Sequence, residues 1–320
     1  MQPGKFALIG LGHISQFQLQ ALAGLPQWQL VAACDLNPDQ QSRLPADTQF
    51  YTSADELLAN TKAHLIMVAT PTPTHFDIGH RVIESGNNLL IEKPICANHV
   101  DVERLIELAN AKGVHFAVAF HAYHGAEVEW FRQNHASRGL KLEDMIGFKA
   151  HVDDPYLENG KLLNRARSLG NAWIDSGINA LSVIGSLIPP ERLHITSSEK
   201  LATPVDGCNI PHARVTFSYN TGTQNGKGTI EIDWTRGINK KATTLYFKDG
   251  TEVLLDHSLE TVVISEPDQQ PEIIKLNNET PRLTNHYTGV LAEAHSNLQR
   301  NETNLPFAHR LHNLLFAAFN

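Results

Sequence analysis

Between residues 6 and 119 the chain keeps a strict alternation. Short apolar runs at 6–9, 29–33, 65–69, 89–91 and 116–119 end in loops, and helix-patterned stretches lie between most of them. Ser53 and Glu56 have the spacing of a capping box ahead of Leu57 and Leu58. Residues 81–85 close on Gly86, and Asn98 is placed to cap 100–111, which closes on Gly113. Neighbouring parallel strands need a crossover, usually a helix. Strand, helix, strand repeated in this way predicts a parallel sheet covered by helices on both faces.

The first turn of that pattern carries the chemistry. In "FALIGLGHISQFQLQAL", Gly10 and Gly12 stand between a strand and a helix as G-x-G-x-x-S. Gly10 permits a tight turn, and Gly12 lets backbone N–H groups approach a pyrophosphate at the helix N-terminus. Ser15 is small enough for close helix–strand packing. Asp35 ends the next strand, 20 residues past Ser15, where a carboxylate meets the ribose 2′-hydroxyl. The loop predicts a doubly wound Rossmann sheet that binds a dinucleotide through Gly10, Gly12, His13, Ile14, Asp35 and Asn37. Asp35 would repel a 2′-phosphate and Leu36 and Asn37 follow it, so NAD is expected. NADP stays open if Arg43 swings in.

Ligands bind at the carboxyl ends of strands in such sheets. Two further strand ends are therefore candidates. "VATPTPTH" offers Thr70, Pro71, Thr72 and His75, and "LLIEKP" offers Glu92 and Lys93. Pro94 biases Lys93 towards an extended backbone.

After about residue 122 the rhythm changes. Helix patterns at 125–136 and 171–188, the second stopped by Pro189-Pro190, precede strand-like runs at 193–199, 213–219, 228–235, 243–248, 252–256, 261–265 and 272–276. "KDGT" at 248–251 is a hairpin turn, since Asp-Gly tolerates positive φ. Strands without helices between them predict a mostly antiparallel sheet. Helical patterns return at 284–300 and 307–319. The expected division is a dinucleotide-binding domain at 1–121 and an α+β domain at 122–320.

Bulk properties exclude several roles. Of 320 residues, 26 are Lys or Arg and 34 are Asp or Glu, a formal charge of −8, so no nucleic-acid partner is expected. No apolar run approaches the roughly 20 residues of a membrane span. The opening "MQPGKFALIGLG" enters a strand without a leader pattern. Cys34, Cys96 and Cys208 are scattered and odd in number, which suggests no disulfide framework and fits a reducing cytoplasm. The 17 histidines show no close ligand set, and no metal site is expected.

Loop 10–15, "TPTPTH" and "EKP" together resemble the glucose–fructose oxidoreductase/inositol dehydrogenase/MocA (Gfo/Idh/MocA) family of nicotinamide-dependent sugar dehydrogenases. The resemblance implies a Rossmann domain followed by a mixed domain with an open, mainly antiparallel sheet. It implies that Lys93 is the active-site lysine, that the Lys93–Pro94 bond is cis, and that His75 lies beside the cofactor. Most of the family carries Asp and His four apart on the first long helix of the second domain. Here those positions are Asp175 and Asn179, which share a helix side at that spacing. A neutral amide does not titrate.

"WIDSGINALSVI" is similar to the "DPGINALS" signature of the L-arabinose/D-galactose 1-dehydrogenases. "FHAYH" keeps that subgroup's His at His121, and "IDWTRG" matches the segment that carries Trp234. The chain departs from the subgroup at Tyr123, Ala126 and Ser176. The resemblance implies hydride transfer from C1 of an aldose to the nicotinamide, giving a lactone. Lys93 would bond the reacting hydroxyl, Asp175 would take its proton or hold Lys93, and Asn179 would orient a sugar oxygen; Lys93 and Asp175 both stay open as the base. Trp234 would stack on the sugar's C–H face, the alternative being core packing, while His121 bonds hydroxyls. Oxidation at another carbon of a sugar or cyclitol, or a sensor without turnover, are the other readings. Relatives pair their open sheets face to face, so a homo-oligomer is expected.

Overall fold

The structure is a computed structural model that describes residues 2–205 and 207–319. The chain separates into two compact units. The first joins Met1–His121 to Leu283–His309, and the second joins Ala122–Arg282 to Arg310–Asn320. Segment 283–309, assigned from sequence to the second domain, therefore packs with the first.

In the first unit the strands are β1 (Gly4–Ile9), β2 (Trp28–Cys34), β3 (Gln49–Tyr51), β4 (Leu65–Val68), β5 (Leu89–Glu92) and β6 (Phe116–Ala119). They form one parallel sheet in the order β3-β2-β1-β4-β5-β6. That order reverses beside β1, which creates the crevice where Rossmann sheets hold dinucleotides. The helices are α1 (Ser15–Ala23), α2 (Ala54–Asn60), α3 (His75–Glu84) and α4 (His99–Lys112). The Asn98 side chain caps α4 by accepting the Asp101 N–H at 3.0 Å, and Gly113 closes it in the left-handed region. Ser53 makes no such bond to α2, so the expected capping box is not formed; Asp55 and Glu56 instead place negative charge in the first turn.

Fully buried Phe6, Leu8, Leu65 and Met67 pack with Tyr287, Leu291 and Ala294 of α7 (Arg282–Arg300), and the Trp28 indole donates to the Leu291 carbonyl at 2.9 Å. This explains why residues from the far end of the chain complete the first unit.

The second unit begins with α5 (Ala126–Asn134) and is built on eight strands. These are β7 (Met145–Asp153), β10 (Leu193–Lys200), β11 (His212–Asn220), β12 (Asn225–Asp233), β13 (Lys240–Phe247), β14 (Glu252–Asp256), β15 (Thr261–Ser265) and β16 (Glu272–Lys275), and a small hairpin pairs β8 (Leu157–Glu158) with β9 (Lys161–Leu162). Their order is β10-β11-β12-β7-β13-β14-β15-β16, antiparallel except for β12 beside β7. Strand β7 has no counterpart in the sequence expectations. A register shift opposite Tyr246/Phe247 skips Ile146, which is 43% exposed, and breaks the alternation that would have revealed the strand. Along β11 the inward residues Ala213, Val215, Phe217 and Tyr219 are buried, while their neighbours are polar. The "KDGT" turn forms as expected, with Gly250 at φ 87°.

The helix expected at 171–188 is not uniform. A π-helical turn, Trp173–Gly177, leads into α6 (Ile178–Gly185). The last helix is α8 (Leu305–Ala317).

Candidate active site

The dinucleotide crevice is built from three strand ends. Gly10 has φ +99°, and a Cβ there would sit 2.7 Å from the Ala69 carbonyl group. Only glycine fits, because β1 and β4 are paired and the two loops cross in contact. A Cβ added at Gly12 would meet nothing within 4 Å. That open space, at the start of a helix whose first N–H groups have no helical partners, matches what a pyrophosphate requires. His13 is exposed and Ile14 half-buried at the same turn.

Asp35 sits at the end of β2. Its Oδ2 accepts the Leu11 N–H at 2.7 Å and its Oδ1 accepts the Asn37 N–H at 2.8 Å. Each oxygen keeps a lone pair that a ribose hydroxyl can use. Arg43 has swung in: its guanidinium donates to the Leu11 carbonyl at 2.5 Å and to Ser15 Oγ at 3.0 Å. The loop thus engages a carboxylate and a cation through the backbone of one residue, Leu11.

The end of β4 supplies half-buried Thr70, exposed Pro71 and buried Thr72. His75 was expected beside the cofactor. Instead it is 1% exposed, with Nδ1 2.9 Å from the Pro94 carbonyl and Nε2 2.8 Å from the Thr70 carbonyl. Burial pushes this imidazole below its ordinary pKa, opposed by those carbonyl acceptors. It fastens the "TPTPTH" loop to the loop that carries Lys93. The Lys93–Pro94 bond is cis and Lys93 is half-buried.

Glu92, also expected at the cofactor, is held by protein partners. Its carboxyl group is buried, and its Oε1 accepts the Gln18 amide at 2.8 Å and the Tyr287 hydroxyl at 2.6 Å. Burial pushes its pKa up to about 7, against the opposing effects of the Tyr287 hydroxyl, the Lys93 charge and the Gln18 amide. Glu92 anchors the strand end from which Lys93 projects. Gln18 and Tyr287 lie 74 residues upstream and 195 downstream of it, and no local motif announces them. At the end of β6, half-buried His121 stacks on His286 with ring centroids 5.7 Å apart.

In the second unit Asp175 is 7% exposed, within the π turn. The Asn179 side chain donates to the backbone carbonyl of Asp175, one turn back, at 3.3 Å. The Asn179 Oδ1 is enclosed and accepts no hydrogen bond among the described residues. Such an acceptor is costly unless a donor reaches it. Trp234, expected against a sugar, is fully buried. Its indole donates to Ser176 Oγ at 3.0 Å, and Ser176 in turn donates to Asp154 at 2.6 Å. Ser176, one of the departures from the resembled signature, is thus the partner that keeps Trp234 in the core.

A parallel sheet in the order 3-2-1-4-5-6, with a glycine turn after its first strand and a carboxylate after its second, defines a dinucleotide-binding protein of the Rossmann class. Residues 4–120 match the oxidoreductase family described as "NAD-binding Rossmann fold". The match gives these residues the NAD-binding domain of the Gfo/Idh/MocA oxidoreductases and leaves the rest of the chain outside it. A UDP-N-acetylglucosamine 3-dehydrogenase of Acidithiobacillus ferrooxidans is 29% identical over 149 residues, 45% of this chain and 46% of the relative. A galactose 1-dehydrogenase of Pseudomonas fluorescens is 28% identical over 224 residues, 67% of this chain and 66% of the relative. The first-ranked curated relatives are matched over about half their length or less. In fold the likeness is complete: the solved UDP-N-acetylglucosamine 3-dehydrogenase GnnA from Acidithiobacillus ferrooxidans superposes with a TM-score of 0.80 at 18% identity, covering 99% of this chain and 97% of that one.

Proposed function

We propose that this protein is an NAD-dependent dehydrogenase that oxidises an aldose at C1 to its lactone. The observation that carries the reading is the enclosed, unpaired Asn179 Oδ1 one turn from Asp175. It is a ready acceptor for a substrate hydroxyl, on a helix that is otherwise mostly apolar. The resemblance of that helix to the aldose 1-dehydrogenase signature and the reach of the galactose 1-dehydrogenase match, beyond the first 121 residues, support the same choice.

In this reading Lys93 hydrogen-bonds the C1 hydroxyl, and Lys93 or Asp175 accepts its proton. Asn179 fixes a neighbouring sugar oxygen, and Asp175 is the carboxylate of the pair. Bound NAD would supply the acceptor for the hydride that leaves C1. The glycine turn, Asp35 and the loop at 70–72 would hold the dinucleotide, while His75 and Glu92 keep the Lys93 loop in place. Positioning of this kind supplies much of the rate enhancement in hydride transfer. Cofactor choice follows Asp35, and Arg43 keeps some use of NADP open.

The test is a panel of aldoses, cyclitols and sugar derivatives with NAD, followed by NADH absorbance and product identification. A lactone from an aldose, with turnover reduced at least about a hundredfold in Lys93→Met, is the expected result. A 3-oxo product would move the chemistry to another carbon. Saturable NAD binding without turnover on any sugar would make the protein a sensor.

A further inference from the structure

The first unit carries a cluster that the proposed reaction does not use. His99 and Glu103 lie four residues apart on α4 and so share a face. His309 comes from α8, 206 residues from Glu103 in sequence, and all three belong to the same unit. Both imidazoles aim Nε2 at one carboxylate oxygen: His99 at 3.2 Å and His309 at 2.6 Å from Glu103 Oε1. One ligand atom from each of the three residues falls within 4.8 Å of the others.

We propose that His99, Glu103 and His309 form a binding site for a divalent transition metal of the zinc type. Zinc holds imidazole nitrogen and carboxylate oxygen at about 2.0–2.2 Å, and tetrahedral geometry then separates neighbouring ligand atoms by about 3.3 Å. The His99–Glu103 distance already has that value. The His309–Glu103 distance must open by about 0.7 Å on the same geometric basis. Side chains 34% exposed can make that adjustment by small rotations in water. Two imidazoles and one carboxylate favour zinc, cobalt or nickel over magnesium and calcium, which take oxygen ligands. The His99 side chain is 42% exposed, which leaves a solvent-facing position for a fourth, water ligand. The metal would clamp the start of α8 to α4.

The test uses the full chain with cobalt(II) as the probe, followed by zinc competition. One equivalent of cobalt is expected to bind with a visible d–d band that zinc abolishes, and zinc is expected to raise Tm by a few degrees. His309→Ala is expected to weaken cobalt binding at least about tenfold and to remove the band. Glu103→Gln keeps the shape of the side chain and is expected to weaken binding as well. Absence of saturable cobalt binding to the wild-type chain would overturn the site and leave a hydrogen-bonded cluster only. Equal affinity in wild type, His309→Ala and Glu103→Gln would overturn it too.

Discussion

Glu92 shows how a buried carboxyl can anchor the strand end that carries a site residue. Its side chain is buried and its pKa stands near 7, above the ordinary carboxylate value of 4.5. Below pH 4.5 the folded and unfolded chains both carry its proton, and its contribution to stability is fully present. Between 4.5 and about 7 the unfolded chain loses that proton first, so stability falls as pH rises, by about 3 kcal/mol in total. Glu92→Gln keeps an oxygen to accept from Tyr287 and Gln18 and removes the titration. Urea unfolding from pH 4.5 to 8 is expected to show a flatter stability profile for the variant; an unchanged slope would contradict the assignment. At this scale the sequence was informative where chemistry follows from a short motif. The tight turn at Gly10 and the placement of Asp35 were legible. The roles of His75, Glu92 and Trp234 were not, because their partners are Pro94 and Thr70, Gln18 and Tyr287, and Ser176, all brought to them by folding. His99 and Glu103 are visible as a helical pair, but His309 lies too far along the chain to complete the set on paper.

The π turn is the element that sets Asp175 and Asn179. A Cβ at Gly177 would approach the Trp173 ring to 2.9 Å, and Trp173 is itself buried, with its indole donating to the Leu315 carbonyl at 2.8 Å. The ring cannot withdraw cheaply. Gly177→Ala is therefore expected to cost about 1–3 kcal/mol of stability by overpacking. In thermal unfolding, a Tm equal to wild type would show that the turn has more room than its packing implies. Such turns recur at functional sites within helices. Helical periodicity predicted the helix but not the widened turn, since a π turn leaves almost the same residues on one face. Strand β7 was missed for a comparable reason, the skipped Ile146 having disguised a period of two.

At the level of the whole molecule, the first unit is discontinuous in sequence. Residues 283–309 supply Tyr287 to Glu92, the Leu291 carbonyl to Trp28 and Asn304 to the backbone of Val118. A fragment of residues 1–121 would lose these partners and expose the apolar face that α7 covers. It is expected to lack cooperative unfolding, followed by near-UV circular dichroism, while the full chain shows it. A sharp, native-like transition in the fragment would contradict this assignment. Alternating strand and helix patterns made the parallel sheet legible, and the run of strands did the same for the second. The return of a distant helix to the first unit was not, because amphipathic periodicity shows that a face is buried but not against which sheet.

The most direct measurement of the proposed chemistry follows the hydrogen on C1. An aldose that turns over in the sugar panel, deuterated at C1, is oxidised with NAD, and the reduced cofactor is analysed by mass spectrometry. Deuterium carried into NADH, with a lactone as product, is the expected result. Unlabelled NADH, with the deuterium retained in the oxidised sugar, would place the oxidation at another carbon and contradict the proposal.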